Sequence, residues 1–116
     1  LEALARIVRA TAPSALIHTD ATQAVGRVAI DLAGELANID LLSFSAHKFN
    51  GPKGIGGLFI RDGIEIEALI PGEQEGGHRG GTSNVPAAAG LAEAARIAHA
   101  GLGLWPGIAA RRDRLE

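Results

Sequence analysis

Asp40-Leu41-Leu42-Ser43-Phe44-Ser45-Ala46-His47-Lys48 is the stretch from which the rest of the chain is read. Residues 40–45 carry an apolar run interrupted by serine, the pattern of a short buried strand. Lys48 follows that strand almost at once. In parallel α/β sheets, ligands collect at the carboxyl ends of the strands. A lysine in that place forms a Schiff base with a carbonyl ligand when its surroundings lower its pKa. The plainer alternative is a surface lysine beyond a strand end. The only other lysine, Lys53, lies among the glycines of residues 50–57, which read as a loop.

Working outward, Leu1 to Ala10 has apolar residues at 1, 4, 5, 7 and 8, which is helical spacing, and Pro13 ends it. Ala15-Leu16-Ile17-His18 predicts a short buried strand. Thr19 to Gln23 reads as its end, turning into a short helix. Downstream, Leu58-Phe59-Ile60-Arg61 predicts a third strand, with a turn at Asp62-Gly63. Gly72 to Asn84 almost lacks apolar residues and holds two Gly-Gly pairs. A stretch that long without an element is functional or disordered. Pro86 to Ala100 predicts a helix with proline at its first position, and Pro106 to Glu116 a last, partly exposed one. Strands alternate with helices, so the expected class is α/β.

Composition narrows the function. The chain has 116 residues, 47% hydrophobic, with a net charge of -2, which excludes a disordered segment. That charge, with a pI near 6.1, also excludes a basic nucleic-acid binder. No apolar run approaches the roughly 18 residues of a membrane span. There is no cysteine, hence no disulfide, thiolate metal site or cysteine nucleophile within these residues. No signal-peptide pattern is present, and the expected location is the cytoplasm. There is no methionine either, and we expect a piece of a longer protein. Aromatics make up only 3%, so the core is expected to be built from Leu, Ile, Val and Ala.

Two further constellations carry chemistry. Asp20 ends the first predicted strand, and Gln23 follows one helical turn later. An aspartate beside a heteroaromatic nitrogen keeps it protonated, as pyridoxal phosphate requires to act as an electron sink. A glutamine amide can hydrogen-bond the ring's phenolic oxygen. An N-capping aspartate with a solvated glutamine is the alternative. In residues 72–84, glycines with Arg79 and Thr82 could wrap a phosphate; a flexible surface loop is the alternative. There is no phosphate-binding Gly-x-x-x-x-Gly-Lys-Ser/Thr match. No zinc spacing links His18, His47, His78 and His99, so no metal is expected. A metal hydrolase built on His18, Asp20 and His47 is a remote alternative.

Three stretches in this order resemble a NifS/IscS-type cysteine desulfurase, of the class V aminotransferase group of fold-type I pyridoxal-phosphate enzymes. They are His18-Thr19-Asp20-Ala21-Thr22-Gln23-Ala24-Val25-Gly26, Asp40 to Lys48 running into Gly51-Pro52-Lys53-Gly54, and Gln74 to Pro86. The first two are similar to class V broadly, the third more narrowly to the NifS/IscS branch. The resemblance covers roughly residues 1–100. It implies an α/β/α sandwich with a mainly parallel sheet, of which residues 1–116 would be the central part of the large cofactor-binding domain, with about three strands. Residues 72–85 would be an active-site and dimer loop, and 86–116 helices leading toward the small domain.

The resemblance also implies roles. Lys48 would hold pyridoxal 5'-phosphate as a Schiff base and later move protons at the substrate carbon. Asp20 would pair with the ring nitrogen and Gln23 with the ring hydroxyl oxygen. Ser45 and His47 would hold the phosphate, and Thr82 would reach the phosphate of a partner subunit in a homodimer. The whole enzyme would convert L-cysteine to L-alanine and pass the sulfur as a persulfide to a scaffold protein for iron–sulfur or other thio-cofactor assembly. The persulfide cysteine would lie beyond Glu116. Glu73 stands where the family usually has another glycine. Alternatives are another class V enzyme (an aminotransferase or a selenocysteine lyase) and a non-catalytic structural piece.

Overall fold

The computed structural model describes residues 1–115. Its centre is β2 (Leu41–Ser45), the middle strand of a three-stranded sheet ordered β1-β2-β3. β1 (His18–Asp20) pairs with β2 in parallel, and β3 (Gly56–Ile60) pairs antiparallel. The fold class is α/β as expected, and the sheet within these residues is mixed. The reason for the reversal is length. Only residues 46–55 join β2 to β3, too few for the dozen or more that a parallel crossover takes.

Side chains alternate across a strand, and residues in register share a face. Leu42 stands opposite Phe59, so these two and Phe44 point to one face. There Leu42 packs with Ala5 of α1 (Glu2–Thr11), Ala21 and Ile39 in the main core, with Phe44 and Phe59 against it. Fully burying a side chain such as Ile39 contributes about 1.5–3 kcal/mol. A second core joins Ala46 and Phe49 to Ala94 of α2 (Val85–Ala100), and Phe44 touches both. The phenylalanines are therefore central to a core expected to be aliphatic. α2 comes close to the loop after β2 because Gly90 faces Pro52; a Cβ at position 90 would meet the proline ring.

The first strand differs from expectation. Ala15 to Ile17 lie outside the paired register, and β1 begins at His18. Leu16 is 54% exposed. β2 starts only at Leu41, so those residues have no strand to pair with. Ile17 instead closes the junction, its carbonyl accepting from the N–H groups of Asp40 at 2.9 Å and Leu41 at 3.1 Å.

Residues 72–84 contain a short 3-10 helix (Glu75–Gly77) and one bridge, Gln74 to Arg79. Asn84 then starts α2, its Oδ1 accepting from the Ala87 N–H at 3.1 Å. Asn84→Ala is expected to cost about 1 kcal/mol, read as a lower denaturant midpoint at an unchanged slope. α3 (Trp105–Arg112) is the last described helix, and Glu116, where that helix was expected to end, lies outside the described residues. No described helix is long and apolar enough to cross a membrane.

Candidate active site

The face of the sheet opposite Leu42 carries the polar residues. Asp20 of β1 is in register with Ser43 of β2, and Ser45 lies two residues further along the same face. His18 shares it, its Nε2 standing 3.0 Å from Ser43 Oγ. β1 and β2 run in parallel, so their carboxyl ends form one edge. Past that edge β1 enters a turn that holds Gln23, and β2 enters a 3-10 helix (Ala46–Phe49) that holds His47 and Lys48. The expected Asp20, Gln23, Ser45, His47 and Lys48 thus all come to this edge. Among the described residues, His18, Asp20 and His47 are not part of any metal-sized cluster.

Asp20 is exposed, yet held below the usual carboxylate range. The cause is hydrogen bonding from Thr22, first its side chain and then its N–H, which reaches Oδ1 at 2.9 Å, with His18 adding a smaller attraction. The carboxylate is therefore ionised at neutral pH, as a partner for a protonated heterocycle must be. The Lys48 ammonium makes no hydrogen bond or ion pair among the described residues. Gln23 gives its carbonyl oxygen to Arg27, which leaves the amide N–H groups available. Ser45 and His47 add a hydroxyl and an imidazole. An anion, an amide donor, a hydroxyl, an imidazole and an uncommitted amine suit pyridoxal phosphate by their chemistry.

Two cavities flank these residues. One, of about 390 Å³, is lined by Arg27, Lys48, Phe49 and Trp105 together with residues of α2 and α3, and Asp20 is not part of its lining. A second, of about 600 Å³, lies between β3 and residues 72–84. Thr82 is exposed in that segment, beside the strand farthest from β1, and is not brought to Asp20.

Two residues escape a reading of the sequence. Arg27 links Gln23 to the Lys48 backbone; its four-residue spacing from Gln23 was the available signal. Asp40, read as the start of a strand, is a buried carboxylate at 4% exposure.

Residues 1–105 match the family described as Aminotransferase class-V. A cysteine desulfurase of Cereibacter sphaeroides is 52% identical over 103 residues, 88% of this chain and 26% of that protein. A cysteine desulfurase IscS of Methanosarcina thermophila is 52% identical over 84 residues, 72% of this chain and 20% of that protein. Among solved structures, a NifS-like protein superposes with a TM-score of 0.82 at 45% identity, over 88% of this chain and 28% of the other. A structure titled SspA in complex with cysteine gives 0.74 at 42% identity, over 82% and 27%. The chain spans about a quarter of the length of the curated relatives it matches.

Proposed function

The chain belongs to the class V aminotransferase family, and from that premise we propose that it forms the cofactor-holding centre of a pyridoxal-phosphate-dependent cysteine desulfurase. One observation carries the reading: the parallel β1–β2 pair brings Asp20, Ser45 and the Lys48 helix to a single sheet edge. Bound pyridoxal phosphate supplies an aldehyde that condenses with amines and a ring that accepts an electron pair from the substrate carbon.

The chain's own residues divide the work. Lys48 would hold the cofactor through its amine and would move a proton at the substrate α-carbon. Asp20 holds a proton on the ring nitrogen. Gln23 donates to the ring hydroxyl oxygen. Ser45 and His47 donate to the phosphate. Thr82 completes the phosphate site of a partner subunit, which makes residues 72–85 an active-site and dimer loop in a homodimer. The exposed position of that loop beside β3 supports this assignment. Residues 86–116 then lead toward a smaller domain.

The proposed substrate is L-cysteine, the ligand named for the SspA structure. Its C–S bond breaks, L-alanine leaves, and the sulfur passes to a protein thiolate as a persulfide. The chain has no cysteine, so that thiolate is not one of these residues. A scaffold protein in the cytoplasm would take the sulfur onward for iron–sulfur or other thio-cofactor assembly.

The test is product analysis with the protein that carries this chain, supplied with pyridoxal phosphate, L-cysteine and a thiol. Alanine and sulfide in equal amounts are expected. Transfer of the amine to a keto acid would replace the reading with an aminotransferase, and reaction with selenocysteine alone with a selenocysteine lyase. Asp20→Asn is expected to weaken cofactor binding by about tenfold, through loss of a charge-assisted contact, measured by absorbance titration. Unchanged affinity together with unchanged turnover would remove Asp20 from the site.

A further inference from the structure

Beyond the end of β1 and β2 no strand pairing holds the site together. The last contact between β1 and β2 is the Ala21 N–H to the Ser43 carbonyl at 2.8 Å. Gln23 and Lys48 then lie on two separate segments, a turn and a short 3-10 helix. Val25 of the turn packs against Ala46 and Phe49, and among the described residues one side chain hydrogen-bonds to both segments. Arg27 Nη1 donates to the Gln23 carbonyl at 2.9 Å and to Gln23 Oε1 at 3.1 Å, and Nη2 donates to the Lys48 carbonyl at 3.2 Å.

The chemistry of the guanidinium makes this specific. It has N–H donors only and no acceptor, so the Gln23 atom that faces it must be the oxygen. The amide N–H2 is thereby turned away from Arg27 and kept as a donor. The Lys48 carbonyl sits near the end of its helix, where carbonyls lack helical partners, and the second arm of the fork satisfies it. Arg27 is itself anchored. Its Cζ lies 5.7 Å from the centre of the Trp105 ring, within the range of a cation–π contact. Trp105 Nε1 donates to the Gly26 carbonyl at 2.7 Å. Gly26 has φ +79°, and a Cβ there would crowd Phe49 and Ala98, so the turn seats only with glycine.

We propose that Arg27, braced by Trp105, is a positioning residue that fixes the Gln23 amide as a donor and ties its turn to the Lys48 helix. The proposal rests on the cofactor reading above and goes beyond it. A lysine at position 27 would keep the charge but lose the two-armed fork.

The test uses the protein that carries this chain, loaded with pyridoxal phosphate, as Arg27→Met, Arg27→Lys, Gln23→Leu and the Arg27→Met/Gln23→Leu double variant. The readout is the pH midpoint of the bound cofactor's visible absorbance, which a donor to the ring oxygen lowers. Gln23→Leu is expected to raise it by about one unit. Arg27→Met is expected to raise it by a comparable amount, and the double variant by no more than Gln23→Leu alone. Arg27→Lys is expected to stay nearer to Gln23→Leu than to the unmodified protein, and it carries the test if Arg27→Met folds poorly. An unmoved midpoint in a cofactor-loaded Arg27 variant, or additive shifts in the double variant, would overturn this role alone. Failure of the unmodified protein to take up the cofactor would overturn the reading beneath it as well.

Discussion

Lys48→Ala is expected to lower alanine formation from L-cysteine by at least about a thousandfold. Two losses combine. A positioned proton-transfer group is worth about 10²–10⁴ in rate, and the covalent hold on the cofactor goes with the same amine. The position favours both roles. Lys48 is half-buried in the 3-10 helix directly after β2, its carbonyl fixed by Arg27, and its ammonium has no competing partner among the described residues. Lys53 provides the internal control, since it is exposed in the glycine loop and is the chain's other lysine. Lys53→Ala is expected to leave the rate within about a factor of three, the span of ordinary surface changes. Retention of more than a tenth of the rate in Lys48→Ala would show that the reaction does not run through this amine.

Asp40→Ala is expected to have the largest effect on stability, about 2–3 kcal/mol. The carboxylate is buried just before β2, where Oδ2 accepts from Arg9 Nη2 at 2.6 Å and from the Ile17 N–H at 2.8 Å. Arg9 also reaches the carbonyls of Pro13, Ala15 and Asn38, so one ion pair gathers α1, the approach to β1 and the start of β2. Removing one member of a fully buried pair costs about 3–5 kcal/mol, and the 30% exposure of the Arg9 side chain places this pair below that range. A loss of this size is a substantial share of a domain's net stability.

The pH dependence of that contribution follows from the sign of the shift. Burial pushes the Asp40 carboxyl up, but the Ile17 N–H and the guanidiniums of Arg9 and Arg61 outweigh it and hold the group below its ordinary value of 3.8. A carboxyl that is more acidic when folded stabilises the fold fully above its unfolded pKa. The stabilisation fades as pH falls through the lower folded value. Urea unfolding of Asp40→Ala and the unmodified protein should therefore differ at neutral pH and converge in strong acid. Equal midpoints at pH 7 would show that the pair contributes nothing.

Much of the candidate site's placement was legible because it is local. The alternation around Ser43 and Ser45 marks β2, and Asp20 and Lys48 follow their strands at spacings that any parallel pair would turn into one edge. The approach to β1 was misplaced because Ala15 to Ile17 look apolar, while pairing depends on where β2 begins, at Leu41. The phenylalanines were undervalued because composition counts them without showing that Phe44 bridges both cores. The buried pairing of Asp40 and the link from Arg27 to Lys48 were invisible for a common reason. Each acts across a distance in sequence: Asp40 with Arg9, Arg27 with Lys48, and neither partner can be read from periodicity. The direction of β3 was in fact decided by length, through the short connection at residues 46–55.

Borohydride reduction of the cofactor-treated protein, followed by peptide mapping, bears most directly on the central claim. The chain holds two lysines, so the outcome is a choice between them. A pyridoxyl group is expected on the peptide that contains Lys48, none on Lys53, and loss of the label in Lys48→Ala. A label on Lys53 alone, or a label that survives in Lys48→Ala, would contradict it.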